Sequence, residues 1–181
     1  MFIPLPFRPT FRNYIAAIAL VVAVSLVVGG VLVVVDDEAA DYDGEAVEAA
    51  VVEQINADRE AEGLQALARS GDLDSAAGYH SARMVELEFY DHEAPDGETA
   101  ADRLPCNGAE IINKMPYQQR FDSPAGSHFA ANNSQAAEIS VEMWMDSDDH
   151  RGAVLDPSAT QLGVGVSSDD DGEVYLTVVF C

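Results

Sequence analysis

Residues 14 to 35, Tyr14 through Val35, form an uncharged run made mostly of Ala, Val, Leu and Ile. At about 1.5 Å per residue, a helix of that length spans roughly 33 Å, enough for a hydrocarbon core of about 30 Å. Lipid offers no hydrogen-bond partner to a bare backbone, so a run that crosses it must be helical. Arg8 and Arg12 precede the run, and Asp36, Asp37 and Glu38 follow it directly. Lys and Arg favour the cytoplasmic side. The expected topology is therefore a cytoplasmic N-terminus over residues 1–13, a transmembrane helix over 14–35, and all that follows outside the cell. Two other readings compete. Ala23-Val24-Ser25 loosely resembles a signal cleavage site, and cutting there would release a secreted protein. The apolar stretch runs about ten residues further, however, which is long for an ordinary signal core. The third reading, a buried core helix, is disfavoured by length and flanks.

The rest of the chain, residues 36–181, is of ordinary single-domain size. Its charge is extreme. The whole chain carries −23, and since Arg8 and Arg12 are the only charges before residue 36, the remainder carries −25. Lys114 is the single lysine. Such a surface repels phosphate backbones, which excludes nucleic acid as a partner. High net charge also drives self-repulsion, which strong salt screens to about 3 Å at 1 M. A salt-loving prokaryotic host is the expectation, with refolding yield rising as salt is added.

Cys106 and Cys181 are the only cysteines. Outside the cell disulfides persist, and two cysteines allow one bridge. Closing a loop of about 75 residues stabilises by about 4 kcal/mol in the loop-entropy model. The alternative is a pair of free buried thiols.

Residues 36–45 read as an acidic linker. From Glu45 to Glu62, Val47, Val51 and Ile55 recur at helical spacing, and Gly63 marks a stop. A second helix is expected from Asp72 or Asp74 to about Phe89, with Leu73, Ala76, Ala77, His80, Met84 and Leu87 as its stripe. Pro95 and Gly97 punctuate a loop, and a short helix fits Thr99 to Leu104. Residues 105–133 show no steady period. A third helix fits Ser134 to Met145, with Ala137, Val141 and Trp144 or Met145 inward. Leu162, Val164 and Val166, then Val174, Leu176, Val178 and Phe180, alternate about the turn Ser167–Gly172, which reads as a hairpin. Three helices and a hairpin make an α+β domain, with helices packed on a small antiparallel sheet.

Three blocks resemble the CAP superfamily, the SCP-like, antigen 5 and pathogenesis-related secreted domains. The first is His80, Ser81 and Met84; the second is Phe89-Tyr90-Asp91-His92-Glu93-Ala94-Pro95-Asp96-Gly97 with Asp102-Arg103. The third runs from Trp144-Met145-Asp146-Ser147 through His150-Arg151 and Leu155-Asp156-Pro157 to Leu162-Gly163-Val164-Gly165-Val166. Val179-Phe180-Cys181 is similar to the family's closing strand and cysteine. The resemblance covers residues 46–181. It implies a three-layer α-β-α sandwich and a cleft of two histidines and acidic residues, which in some members binds a divalent metal such as zinc. By position, His92 and His150 are the cleft histidines and Glu110 the acid of the Gly-Glu-Asn motif. Ile111 stands where that motif has asparagine, and Ser147 where many members have a second acid. Asp146 or Asp148 is the weaker substitute.

Two imidazoles and a carboxylate supply three zinc ligands with an open fourth position. The same groups suit general acid–base work, since histidine titrates near neutrality. His80 reads as a hydrogen-bonded histidine at the core edge, His128 as plain surface and Trp144 as core. Asp169-Asp170-Asp171-Gly172 lacks the further ligands of an EF-hand and reads as a turn. Neither Ser127 nor Ser147 sits in a nucleophile motif. The expected function is a membrane-anchored, extracellular binding domain whose His/Glu cleft takes Zn2+ or another divalent cation, with a lipid or cell-envelope ligand as a further expectation by analogy. The alternatives are a metal- or histidine-dependent hydrolase of peptide or envelope material, and a structural surface protein with a vestigial cleft.

Overall fold

The computed structural model describes residues 42–124 and 126–181. The expected cytoplasmic segment 1–13, the transmembrane helix 14–35 and most of the linker 36–45 lie outside the described residues. Among the described residues, no helix is long and apolar enough to cross a membrane.

Helix α1 spans Gly44–Ala61, so the helix begins inside the stretch expected as linker. Asp43 starts it: its side chain accepts from the backbone N–H of Glu45 and Ala46, which are otherwise orphaned at a helix start. Val47, Val51 and Ile55 form the expected buried stripe. Helix α2 spans Gly71–Glu86. Ser70 is its N-cap residue, not Asp72 or Asp74, which lie in the first turn where the helix dipole favours acids. The helix stops before Leu87, which is exposed rather than part of the stripe. Helix α3, Ala100–Arg103, carries a capping box between Thr99 and Asp102. Helix α4 spans Asn133–Met145 with Asn132 as cap and Trp144 fully buried. Helix α5, Asp148–Val154, has no apolar stripe long enough to announce it in the sequence.

The main sheet is mixed, not purely antiparallel. Strand β1 is Ala68–Arg69, β2 Ala109–Pro116, β5 Gln161–Ser168 and β6 Glu173–Phe180, in the order β1-β5-β6-β2. β1 runs parallel to β5; the other pairs are antiparallel, with Val164 and Ile111 flanking Val178. Strands β3 (Arg120–Ser123) and β4 (Gly126–Phe129) form a separate hairpin. The terminal hairpin β5–β6 is the expected one. β2 lies in the stretch that showed no period, because it is buried on both faces and interrupted by Asn113 and Lys114. Asn113 is buried and donates to Ser140 Oγ at 3.0 Å.

Alternate residues of the sheet face different layers. Ile111, Met115, Leu162, Val164, Val174, Leu176, Val178 and Phe180 join the buried faces of α1 and α4. On the other side, Val179 packs with Leu73 and Ala77, and Ile112 and Tyr175 with Met84, all beneath α2. These are the layers of a three-layer α-β-α sandwich. Cys106 and Cys181 are bonded across a sequence separation of 75, tying the last residue to the segment before β2.

Gly163 and Gly165 set how close α2 comes to the sheet. A Cβ on Gly163 would lie 2.1 Å from the Leu73 carbonyl carbon, and one on Gly165 2.0 Å from the Gly78 nitrogen. Gly78 itself has open space around a built Cβ. Gly163→Ala should therefore cost about 3 kcal/mol by overpacking. Gly78→Ala, in the same helix, should stabilise by about 0.5–1 kcal/mol. Urea unfolding of both variants checks this, and equal midpoints would show that the close approach is not what limits residue 163.

Candidate functional site

Glu110 is the second residue of β2, and its side chain is 1% exposed. Three elements bring nitrogen groups to it. From α3, Arg103 Nη2 donates to Oε1 at 2.9 Å and to Oε2 at 3.0 Å. From the loop after α2, His92 Nδ1 lies 3.0 Å from Oε1. From α2, His80 Nε2 lies 3.7 Å from Oε1, an ion-pair distance too long for a hydrogen bond. Arg103 also donates to the His92 carbonyl at 2.8 Å, so it braces both members of the His92–Glu110 pair.

Proton positions follow from the acceptors. An ionised carboxylate only accepts, so Nδ1 of His92 carries the hydrogen, and in the neutral ring Nε2 keeps a lone pair. His92 is 46% exposed while Glu110 is buried. The carboxylate thus fixes the ring from behind and leaves Nε2 outward. His80 is fully buried, and its Nε2 lies 3.1 Å from the Asp91 carbonyl, which also only accepts. Nε2 is its donor, and Nδ1 is buried without a partner. His80 is therefore the hydrogen-bonded histidine expected, but its face also meets Glu110.

His150 lies in the first turn of α5, where burial lowers its pKa and His92 adds to the depression. Asp146 ends α4 and Asp148 begins α5, and neither bonds to the Glu110 cluster. Asp146 instead lines a small cavity with Ser123, Pro124, Met143 and Ser147. His128 is not plain surface: it bonds Ser123 Oγ at 2.8 Å and stacks against Phe121. The turn Asp169–Gly172 closes the β5–β6 hairpin. Among the described residues, no group of three or more His, Cys, Asp or Glu is placed to hold a metal ion. Both oxygens of Glu110 are occupied by Arg103, so the residues present do not fit a three-ligand set in which Glu110 binds the metal. Arg103 is the site residue whose part was hidden in the sequence, where only its place in the Asp102-Arg103 motif marked it.

The charge states have a pH signature. Burial holds His80 below its ordinary 6.5, with Glu110 pulling the other way and Arg103 adding to the depression. His150 is also lowered, first by burial and then by His92. Burial alone would raise Glu110, but the His92 bond and the charges of His80 and Arg103 hold it below 4.5. For a histidine lowered in the folded state, the unfolded chain binds the proton first, so stability falls as pH drops below 6.5. For Glu110, stability is present above 4.5 and is lost as pH falls through the lowered folded value. Urea midpoints at pH 7, about 5.5 and about 3.5 should therefore decline in two stages. His80→Gln, which keeps a donor for Asp91, should shrink the first stage; an unchanged first stage would assign it elsewhere.

Comparison with known proteins places these features in a family. The family model described as CAP, cysteine-rich secretory protein family, matches residues 52–181. The uncharacterized protein YkwD of Bacillus subtilis (strain 168) is 30% identical over 120 residues, covering 66% of this chain and 42% of the relative. The chain thus spans under half the length of that curated relative. An outer surface protein from Borrelia burgdorferi superposes with a TM-score of 0.61 at 16% identity, covering 77% of this chain and 94% of its own. An extracellular protein containing an SCP domain from Bacillus anthracis str. Ames superposes at 0.57 with 21% identity, covering 76% of this chain and 40% of its own. The sandwich, the His92–Glu110 pair and the family model over most of the chain lead to one conclusion: this chain belongs to the CAP family of cysteine-rich secretory proteins.

Proposed function

We propose that this chain is a surface-anchored CAP binding domain, held to the membrane by residues 14–35 and taking its ligand at the surface shared by His92 and His150. The observation that carries the reading is the half-exposed His92 ring backed by a buried carboxylate. A carboxylate behind one ring nitrogen raises the basicity of the other, which is how metal-binding histidines are commonly supported. In this reading His92 and His150 are the protein's contacts to a divalent cation such as Zn2+, and Glu110 orients His92 rather than binding the ion. A ligand of the cell envelope or a lipid headgroup would meet the same surface. The relatives described as an outer surface protein and as an extracellular protein support display outside the cell. The excess of acidic side chains suits a salt-rich medium.

The second reading is a histidine-dependent hydrolase, favoured by the same pair, since an oriented imidazole with a free lone pair is a general base. It differs in requiring turnover.

Calorimetric titration of Zn2+ into the full chain in detergent micelles should show binding that weakens at least tenfold in His92→Ala and His150→Ala. Glu110→Gln should weaken it by roughly 10–100-fold through loss of orientation. Affinity unchanged in His92→Ala would sink the cation reading, while turnover of a generic peptide or ester, lost in that variant, would promote the hydrolase. Anchoring has its own measurement: the membrane fraction should contain the chain with an intact N-terminus by mass. A mass lacking residues 1–25 in the medium would return the secreted reading.

A further inference from the structure

Arg59, near the end of α1, is 1% exposed; among the described residues no carboxylate pairs with it directly, and the charge of Asp156 acts on it without a bond. Nε donates to the Gln65 carbonyl at 3.0 Å, and Nη1 donates to the carbonyls of Val154 at 2.6 Å and Asp156 at 3.0 Å. These acceptors are neutral groups with partial charge. The carboxylate of Asp156 is turned to Ser158, whose backbone N–H and hydroxyl donate to Oδ1 at 2.8 and 2.7 Å. A guanidinium has five N–H donors. Among the described residues, nothing hydrogen-bonds to Nη2 of Arg59 and no ion pair reaches it. A buried cation with no directly bonded counter-ion is costly, and an anion beside it relieves that cost.

A cavity of about 310 Å³ adjoins this group, lined by Arg59 with Leu64, Gln65, Pro157, Ala159 and Thr160 among others. That is the size of a small ligand pocket, which typically starts at about 300 Å³. We propose that this cavity binds a small monoanionic carboxylate, with Nη2 of Arg59 receiving the carboxylate and Leu64, Pro157 and Ala159 the apolar body. Nε and Nη1 are engaged, so the guanidinium offers an anion one nitrogen rather than its two-pronged fork, and charge selects the class. The chain's net charge of −23 repels a dianion more than a monoanion. None of the lining residues belongs to the His92–Glu110 cluster, so this site stands apart from the cation reading.

The test uses benzoate and inorganic phosphate as probes, titrated calorimetrically into the full chain in detergent micelles at low chloride. Benzoate should bind saturably at one site per chain, and phosphate at least tenfold more weakly. Arg59→Lys should weaken benzoate binding at least tenfold. Arg59 also ties loop carbonyls together, so that variant can lose its fold; Ala66→Phe covers this case, because Ala66 is exposed and lines the cavity. With an unchanged circular dichroism spectrum, Ala66→Phe should also weaken benzoate at least tenfold, and His92→Ala should leave it unchanged. No saturation by benzoate, equal affinity in folded Ala66→Phe, or phosphate binding as tightly as benzoate would each overturn the proposal.

Discussion

Direct backbone contact between α2 and β5 is the constraint on which the other layers depend. Gly163 and Gly165 leave no side chain between helix and strand, so the helix lies on the sheet itself. Polar bonds then hold it in register. Ser81 Oγ lies 2.8 Å from both the Gly165 carbonyl and Thr177 Oγ1, and Val164 N–H donates to Asp74 Oδ1 at 2.9 Å. Residues of α2 that face the sheet are thereby placed at fixed depth. His80 is one of them, and its depth sets its distance to the Asp91 carbonyl and to Glu110.

From that helix outward, charges alternate in a chain. Asp96 meets Arg83 at 2.8 Å, Arg83 meets Glu98 at 3.5 Å and Glu98 meets Arg103 at 3.8 Å. Arg103 then meets Glu110 at 2.9 Å, and Glu110 meets His92 at 3.0 Å. Surface members of such a chain contribute little singly. The inner members matter more, because removing Arg103 would leave the buried Glu110 carboxylate with only the imidazoles of His92 and His80 against it. In a chain so short of cations, arginines stand at structural joints: Arg59 under α5, Arg69 between Glu48 and Asp74, and Arg103 behind Glu110.

Much of the scaffold was legible in the sequence where one face of an element meets solvent. The stripe Val47, Val51, Ile55 and the short helix expected within Thr99 to Leu104 both appear as read. The β5–β6 hairpin was found through its even-numbered residues, while its odd-numbered ones gave no local signal of the second helix layer that covers Gly163, Gly165, Thr177 and Val179. β2 was missed for the same reason, because a strand covered on both sides shows no alternation. α5 was too short for periodicity to register. His92 and Glu110 were located by motif position, and their contact needed the fold.

Local patterning determined the kinds of element, the strong negative charge, the one available cysteine pairing and the apolar length of residues 14–35, because each is a property of neighbours along the chain. The tertiary structure decided which groups meet. His80, His92, Arg103 and Glu110 come from a helix, a loop, a second helix and a strand, and only the close seating of α2 and the short turn of α3 bring them to one carboxylate. Once they meet, burial and mutual charge set their protonation, and no spacing in the sequence encodes that.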